Sequence, residues 1–195
     1  MQTLVIATTN AGKLKEIRPM LDGLALQIVT LADFPGVEAP DETGETFAEN
    51  ARAKALYYTQ VTQELTVAED SGLAIDALGG APGVHSARYG GAAASYPEKF
   101  ALIDEALRLK HALGSPARFV CAVALAREGR VIFEAEGVIE GRITAQPKGE
   151  GGFGYDPIFF YPPFNETLAE AGERKSSVSH RAHAFRALRR FLQTY

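Results

Sequence analysis

Thr8-Thr9-Asn10-Ala11-Gly12-Lys13 stands where an apolar run, Leu4 to Ala7, gives way to Leu14, Ile17 and Leu21 at helical spacing. A helix beginning there offers unbonded backbone N–H groups and the positive end of its dipole to an anion, and Lys13 adds a point charge. The same residues also suit an ordinary strand-to-helix turn capped by Asn10, and they lack the G-x-x-x-x-G-K-[ST] spacing of a Walker A loop.

Two acidic clusters follow, Asp41-Glu42 with Glu45, and Glu69-Asp70. Clustered carboxylates repel one another unless a cation compensates them, and Mg²⁺ with hard oxygen ligands is the usual partner where phosphates are handled. The first cluster reads equally as a solvated acidic loop. The second follows the apolar run 65–68 and is expected where that strand stops, at the sheet end where open α/β proteins place ligands. Lys54 borders the stripe Phe47, Ala51, Ala55, Tyr58 and is placed to neutralise one of these acids.

Further along, Gly149-Glu150-Gly151-Gly152-Phe153-Gly154-Tyr155-Asp156 combines backbone freedom with rings that can stack on a nucleobase, although glycine loops with packed aromatics also occur without ligands. Lys175-Ser176-Ser177-Val178-Ser179-His180-Arg181 puts cations at a helix N-terminus, where they oppose the dipole unless an anion binds beside them. Other chemistries find less support. His180 and His183 are helically spaced but lack a third neutral ligand, Ser71 has no G-x-S-x-G elbow, and Cys121 sits in an apolar strand as a small hydrophobe.

These residues need a scaffold. The patterning predicts strands over 4–7, 26–31 and 65–68, and an antiparallel hairpin over 118–126 and 130–139 about Glu128-Gly129. Helices are expected after residue 10, over 46–60 behind a Thr46/Glu49 capping box, over 95–113 behind Ser95/Glu98, and over 179–193. A short strand is expected over 157–161, while 33–44 is too rich in proline and glycine to be regular and 72–91, rich in glycine, reads as a long ordered loop or a set of short strands. Alternating strands and helices followed by a hairpin give an α/β fold, a mixed β-sheet with helices packed on it, and 195 residues suit one domain, 1–195.

Composition sets the outer limits. Hydrophobic residues make up 46% and charged residues 23%, which excludes disordered and fibrous classes. No apolar run approaches the roughly 20 residues of a membrane span, and the first residues lack a basic leader, so a cytoplasmic protein without membrane contact is expected. One cysteine excludes an intramolecular disulfide, and a net charge of −4 argues against nucleic acid as partner.

The stretches ATTNAGKLKE (7–16), ETGETFAENARAKA (42–55), EDSGLAIDALGGAPGVHSARY (69–89), GEGGFGYDPIF (149–159) and KSSVSHRAHA (175–184) together resemble the inosine triphosphate pyrophosphatase family, in order along nearly the whole chain. The resemblance implies a long mixed sheet bent into two lobes with the active cleft between them, a homodimer, and Mg²⁺-dependent hydrolysis of ITP, dITP and XTP to the monophosphate and pyrophosphate. It implies that Thr8, Thr9, Asn10, Ala11, Gly12 and Lys13 hold the triphosphate, and that Asp70 is the general base. Asp41 or Glu42 with Asp70 would hold Mg²⁺, with Glu69 and Lys54 as supporting charges. Ser71 would touch substrate, and Phe153, Gly154, Tyr155, Asp156, Lys175, His180 and Arg181 would form the base and sugar pocket. Glu69, His85, Glu150 and Ala182 depart from the residues frequent in that family, and the last pocket changes bear on substrate preference more than on reaction type. A related pyrophosphatase for modified or pyrimidine triphosphates, or a catalytically silent nucleotide-binding regulator, is the alternative reading.

Overall fold

The computed structural model describes residues 1–195. β1 (Gln2–Ile6) leads through α1 (Ala11–Leu21), β2 (Leu26–Thr30) and α2 (Phe47–Thr62) to β3 (Leu65–Ile75). α3 (Tyr96–Leu109) precedes two long strands, β4 (Pro116–Arg127) and β5 (Arg130–Ile143). The remainder is built from short pieces, β6 (Phe159–Tyr161), β7 (Glu166–Thr167), α4 (Leu168–Ala171) and α5 (Lys175–Val178), and ends in α6 (His180–Leu192).

All seven strands form one mixed sheet in the order β2-β1-β3-β4-β5-β6-β7. β1 pairs in parallel with β2, Leu4 opposite Ile28, and with β3, Leu4 opposite Leu65. Helical crossovers make such parallel pairs possible, here α1 and α2. β5–β6 and β6–β7 are antiparallel. Glu128 and Gly129, at φ 51° and 72°, make the two-residue turn from β4 to β5, and so short a connection permits only antiparallel strands.

The chain divides into two compact units, one of 1–71, 121–137 and 180–195, the other of 72–120 and 138–179. The first has two apolar clusters. In one, Leu4, Ile6, Ile17, Leu21, Val123, Leu125, Phe185 and Leu188 pack together; in the other, Ala51, Ala55 and Tyr58 of α2 meet Ala68, Ala122, Ala124 and Ala126. The second unit is filled by Leu73, Ile75, Ile103, Leu107, Phe119, Ile143, Phe159 and Leu168. No helix is long and apolar enough to cross a membrane.

One expectation needs correcting. The run from residue 65 does not stop at Glu69: β3 continues to Ile75, so Glu69 and Asp70 lie inside a buried strand and not at its end. Cations from α1, α2 and α6 compensate these acids, which removes the electrostatic reason for the strand to break. Within 162–178, where no element is expected, β7 completes the sheet edge and Thr167 caps α4 by accepting the Glu170 N–H at 3.2 Å.

Candidate active site

The first unit assembles its charged residues from four elements. Where β1 ends, Asn10 takes an extended conformation and its Oδ1 accepts the Lys13 N–H at 3.1 Å, capping α1. Leu14 N–H bonds to Asn10 C=O at 3.0 Å, so of the four N-terminal donors of α1 those of Ala11 and Gly12 keep no intrahelical acceptor. Thr9, Asn10 and Ala11 are exposed, and Thr8 and Gly12 are partly so.

Lys13 extends from this turn to Glu69, with Nζ to Oε1 at 2.9 Å. Glu69 is 3% exposed and also meets Arg181 Nη2 at 3.4 Å, while Cys121 donates its S–H to Oε2 at 3.5 Å. Burial by itself would raise the Glu69 pKa, but the Lys13 ammonium and the Arg181 guanidinium outweigh it and hold this carboxyl well below the usual carboxylate range. Arg181, the first-turn arginine of α6, further donates to Ser71 Oγ at 2.9 Å and to Glu16 of α1. Burial opposes its charge, and the surrounding carboxylates more than restore it, raising its pKa. Ser71 is thereby tied to the cluster, and His180, the residue before Arg181, is buried at the start of α6.

Asp70 points to a second set of partners, as alternation along a strand requires. Lys54 Nζ lies 3.3 Å from Asp70 Oδ1 and 2.7 Å from Glu42 Oε1, one ammonium serving two acids. Asn50 Nδ2 donates to Asp70 Oδ2 at 3.1 Å. Burial raises the Asp70 pKa and Glu42 adds to the rise, against the pull of Lys54 and Asn50, so the net direction is up. Lys54 is likewise raised, because Asp70 and Glu42 overcome the effect of its burial. Asp41 is exposed.

The second unit holds the aromatic set. Asp156, 1% exposed, accepts the Phe153 N–H at 2.8 Å and Lys175 Nζ at 2.6 Å, and that ammonium also lies 4.9 Å from the Phe153 ring centroid. Phe153 is half-buried, and Gly154 follows it at φ 71°. Tyr155 is buried, donates its O–H to Ser86 C=O at 2.8 Å and meets Tyr96 edge to face. Part of the glycine richness here is structural: at Gly149, φ 80°, a Cβ would stand 2.5 Å from the Glu170 backbone nitrogen, so this stretch packs against α4.

The structure thus brings Lys13, Glu69, Ser71 and Arg181 into one network, and Glu42, Lys54 and Asp70 into the adjoining one. Phe153, Asp156 and Lys175 form a third group. Sequence reasoning missed Asn50, Glu16 and the thiol of Cys121. For Asn50 a signal existed, since it stands one helical turn before Lys54, beside the Ala51/Ala55 stripe.

The donor set suits Mg²⁺. No group of three or more His, Cys, Asp or Glu is placed to enclose a metal by itself, yet Glu42 and Asp70 offer hard carboxylate oxygens on one ammonium, the one or two acids Mg²⁺ takes when phosphates supply further ligands.

A family model described as the Ham1 family matches residues 4–191. The chain belongs to the Ham1 family. All five motif stretches fall inside the matched residues. This Ham1-family chain is 49% identical over 190 residues to a dITP/XTP pyrophosphatase of Gloeobacter violaceus, which covers 96% of this chain and 93% of the relative. It is 45% identical over 189 residues to a dITP/XTP pyrophosphatase of Desulforamulus reducens, covering 94% and 92% of the two. Among solved structures, a HAM1 protein from Coxiella burnetii superposes with a TM-score of 0.93 at 37% identity over 100% of both chains. The Ham1 protein of Staphylococcus aureus gives 0.88 at 31% identity over 99% of each.

Proposed function

We propose that this chain is a nucleoside triphosphate pyrophosphatase that hydrolyses the non-standard purine nucleotides dITP, XTP and ITP at the α–β phosphoanhydride, releasing the monophosphate and pyrophosphate. The observation that carries the reading is the adjacency of two devices on β3. Glu69 holds Lys13 at the anion-binding start of α1, and the next residue, Asp70, is a buried carboxylate steadied by Lys54 and Asn50. An anion site beside a positioned base is what water attack on a phosphate ester requires. The dITP/XTP pyrophosphatases at 45% and 49% identity support the substrate class.

In this reading Thr8 to Gly12 present backbone and hydroxyl donors to the triphosphate, and Lys13 neutralises charge on it. Asp70 takes the proton of a water aimed in line at the α-phosphorus, and Lys54 keeps the neighbouring Glu42 from repelling the base. Glu69 and Arg181 act by fixing Lys13 and Ser71. Glu42 and Asp70, with Asp41 as a further oxygen donor, would hold Mg²⁺, which when bound supplies charge neutralisation on the phosphates. The half-buried Phe153 ring offers a stacking face, and the polar groups of Gly154, Tyr155, Asp156 and Lys175 beside it are assigned to base and sugar. Donors set against a 6-oxo purine edge leave a 6-amino group facing a donor unpaired, which discriminates strongly. A homodimer in a reducing cytoplasm, consistent with the single buried Cys121, completes the reading.

Hydrolysis of dITP in ¹⁸O-labelled water tests the point of attack. Label in the monophosphate supports attack at the α-phosphorus, and label in pyrophosphate would overturn it.

A further inference from the structure

Asn50 steadies the acid at the centre of the site, and its other contacts reach beyond that acid to the loop that carries Glu42. It lies in the first turn of α2 and is 1% exposed. Its carboxamide oxygen accepts the Gly44 N–H at 2.8 Å, and Nδ2 faces the Gly44 C=O at 3.4 Å while donating to Asp70 Oδ2 at 3.1 Å. Because the oxygen is taken by an N–H, the face turned to Asp70 can only donate. Gly44 is the matching half of the contact. A Cβ there would stand 2.6 Å from Asn50 Oδ1 and 2.9 Å from Glu49 Cβ, so the loop approaches this closely only at glycine. Two residues before Gly44, Glu42 meets Lys54, and Lys54 meets the other oxygen of Asp70. Asn50, Asp70, Lys54 and Glu42 therefore close a ring, with the backbone at Gly44 as its link.

We propose that Asn50 is a positioning residue for hydrolysis, which sets the rotation of the Asp70 carboxylate and joins it to the loop carrying Glu42, so that base and loop acid are held as one unit. A carboxylate held through one oxygen still turns about its terminal bond; a second donor on the other oxygen fixes its plane. Misplacement of a reacting group by about 1 Å costs on the order of 100-fold in rate. The inference rests on the reading of Asp70 as the base, and its test separates the two.

The full chain is assayed for pyrophosphate release from dITP as Asn50→Ala, Asn50→Asp and Asp70→Asn, with amide hydrogen exchange at Gly44 followed by NMR. Asn50→Asp is close in shape, keeps an acceptor for the Gly44 N–H and removes the donor to Asp70. Both Asn50 variants are expected to lose about 10- to 100-fold in kcat, the range of a lost hydrogen bond to a charged group, with KM within about threefold. Gly44 exchange accelerates in Asn50→Ala and stays protected in Asn50→Asp. Full kcat in folded Asn50→Asp, or a loss confined to KM, with Asp70→Asn inactive, would overturn the positioning role and leave the base assignment standing. Near-normal turnover in Asp70→Asn would overturn the base assignment, and this inference with it.

Discussion

At the scale of single residues, Glu69 and Asp70 show how one strand gives two neighbouring acids different surroundings. Glu69 faces Lys13, Arg181 and the Cys121 thiol, and its pKa is pressed down; Asp70 faces Lys54, Glu42 and Asn50, and its pKa moves up. An acid kept ionised is an anchor, and one held nearer to accepting a proton suits a base. Asp70→Asn is therefore expected to lower kcat by at least about 100-fold while substrate Kd changes far less, read by single-turnover kinetics and equilibrium binding. Glu69→Gln should act on the fold, since it removes the acid shared by two cations, one of them the buried Arg181. A loss of about 3 kcal/mol in urea unfolding is expected, and a change under about 1 kcal/mol would contradict the anchoring role. Lys13, Lys54 and both acids were legible from residue type and position. Cys121 was not, because nothing in an isolated cysteine tells whether its thiol will meet a carboxylate, and for Asn50 the only signal was its place one helical turn before Lys54.

At the scale of elements, the caps were the most readable feature. The Thr46/Glu49 and Ser95/Glu98 pairs both start helices where the spacing predicts, and Glu98 accepts from the Ser95 N–H at 2.7 Å. Hydrogen bonds from the Ser95 hydroxyl, and then from its N–H, lower the Glu98 pKa. A group depressed in the folded state adds stability above its ordinary pKa and loses it as pH falls through the depressed value. Glu98→Ala should thus lower Tm at pH 7, and the gap from the parent should close as pH falls through the depressed Glu98 pKa; a gap independent of pH would contradict the capping role. β3 was the least readable element. Its acids look like a strand end until the cations from three helices are known, and those come from residues as distant in sequence as Lys13 and Arg181. The short elements between residues 162 and 178 are likewise held by tertiary contacts, such as the Thr167 hydroxyl on Lys148 C=O at 2.9 Å, and not by local periodicity.

At the scale of the whole chain, the mixed sheet, the order of its first elements and the family were legible, because periodicity and five ordered motifs are distributed along the sequence. The division into two compact units was implied by the family resemblance alone and not by periodicity, since β3, β4 and β5 each give residues to both. The buried cluster around Glu69 makes one further property testable. Burial raises the Cys121 thiol pKa far above its ordinary value, and the Glu69 carboxylate adds to this. The thiol should resist Ellman's reagent at pH 8 in the native protein and react fully in denaturant, and prompt native reaction would contradict its burial. The central claim, pyrophosphate release from non-standard purine nucleotides, is tested most directly by one comparison of kcat/KM with Mg²⁺ for dITP, XTP, ITP, GTP, ATP and a pyrimidine triphosphate, scoring pyrophosphate apart from orthophosphate. Pyrophosphate with the matching monophosphate is expected from dITP, XTP and ITP, with at least about 100-fold lower kcat/KM for ATP; orthophosphate as the product, or equal turnover of ATP, would contradict the claim.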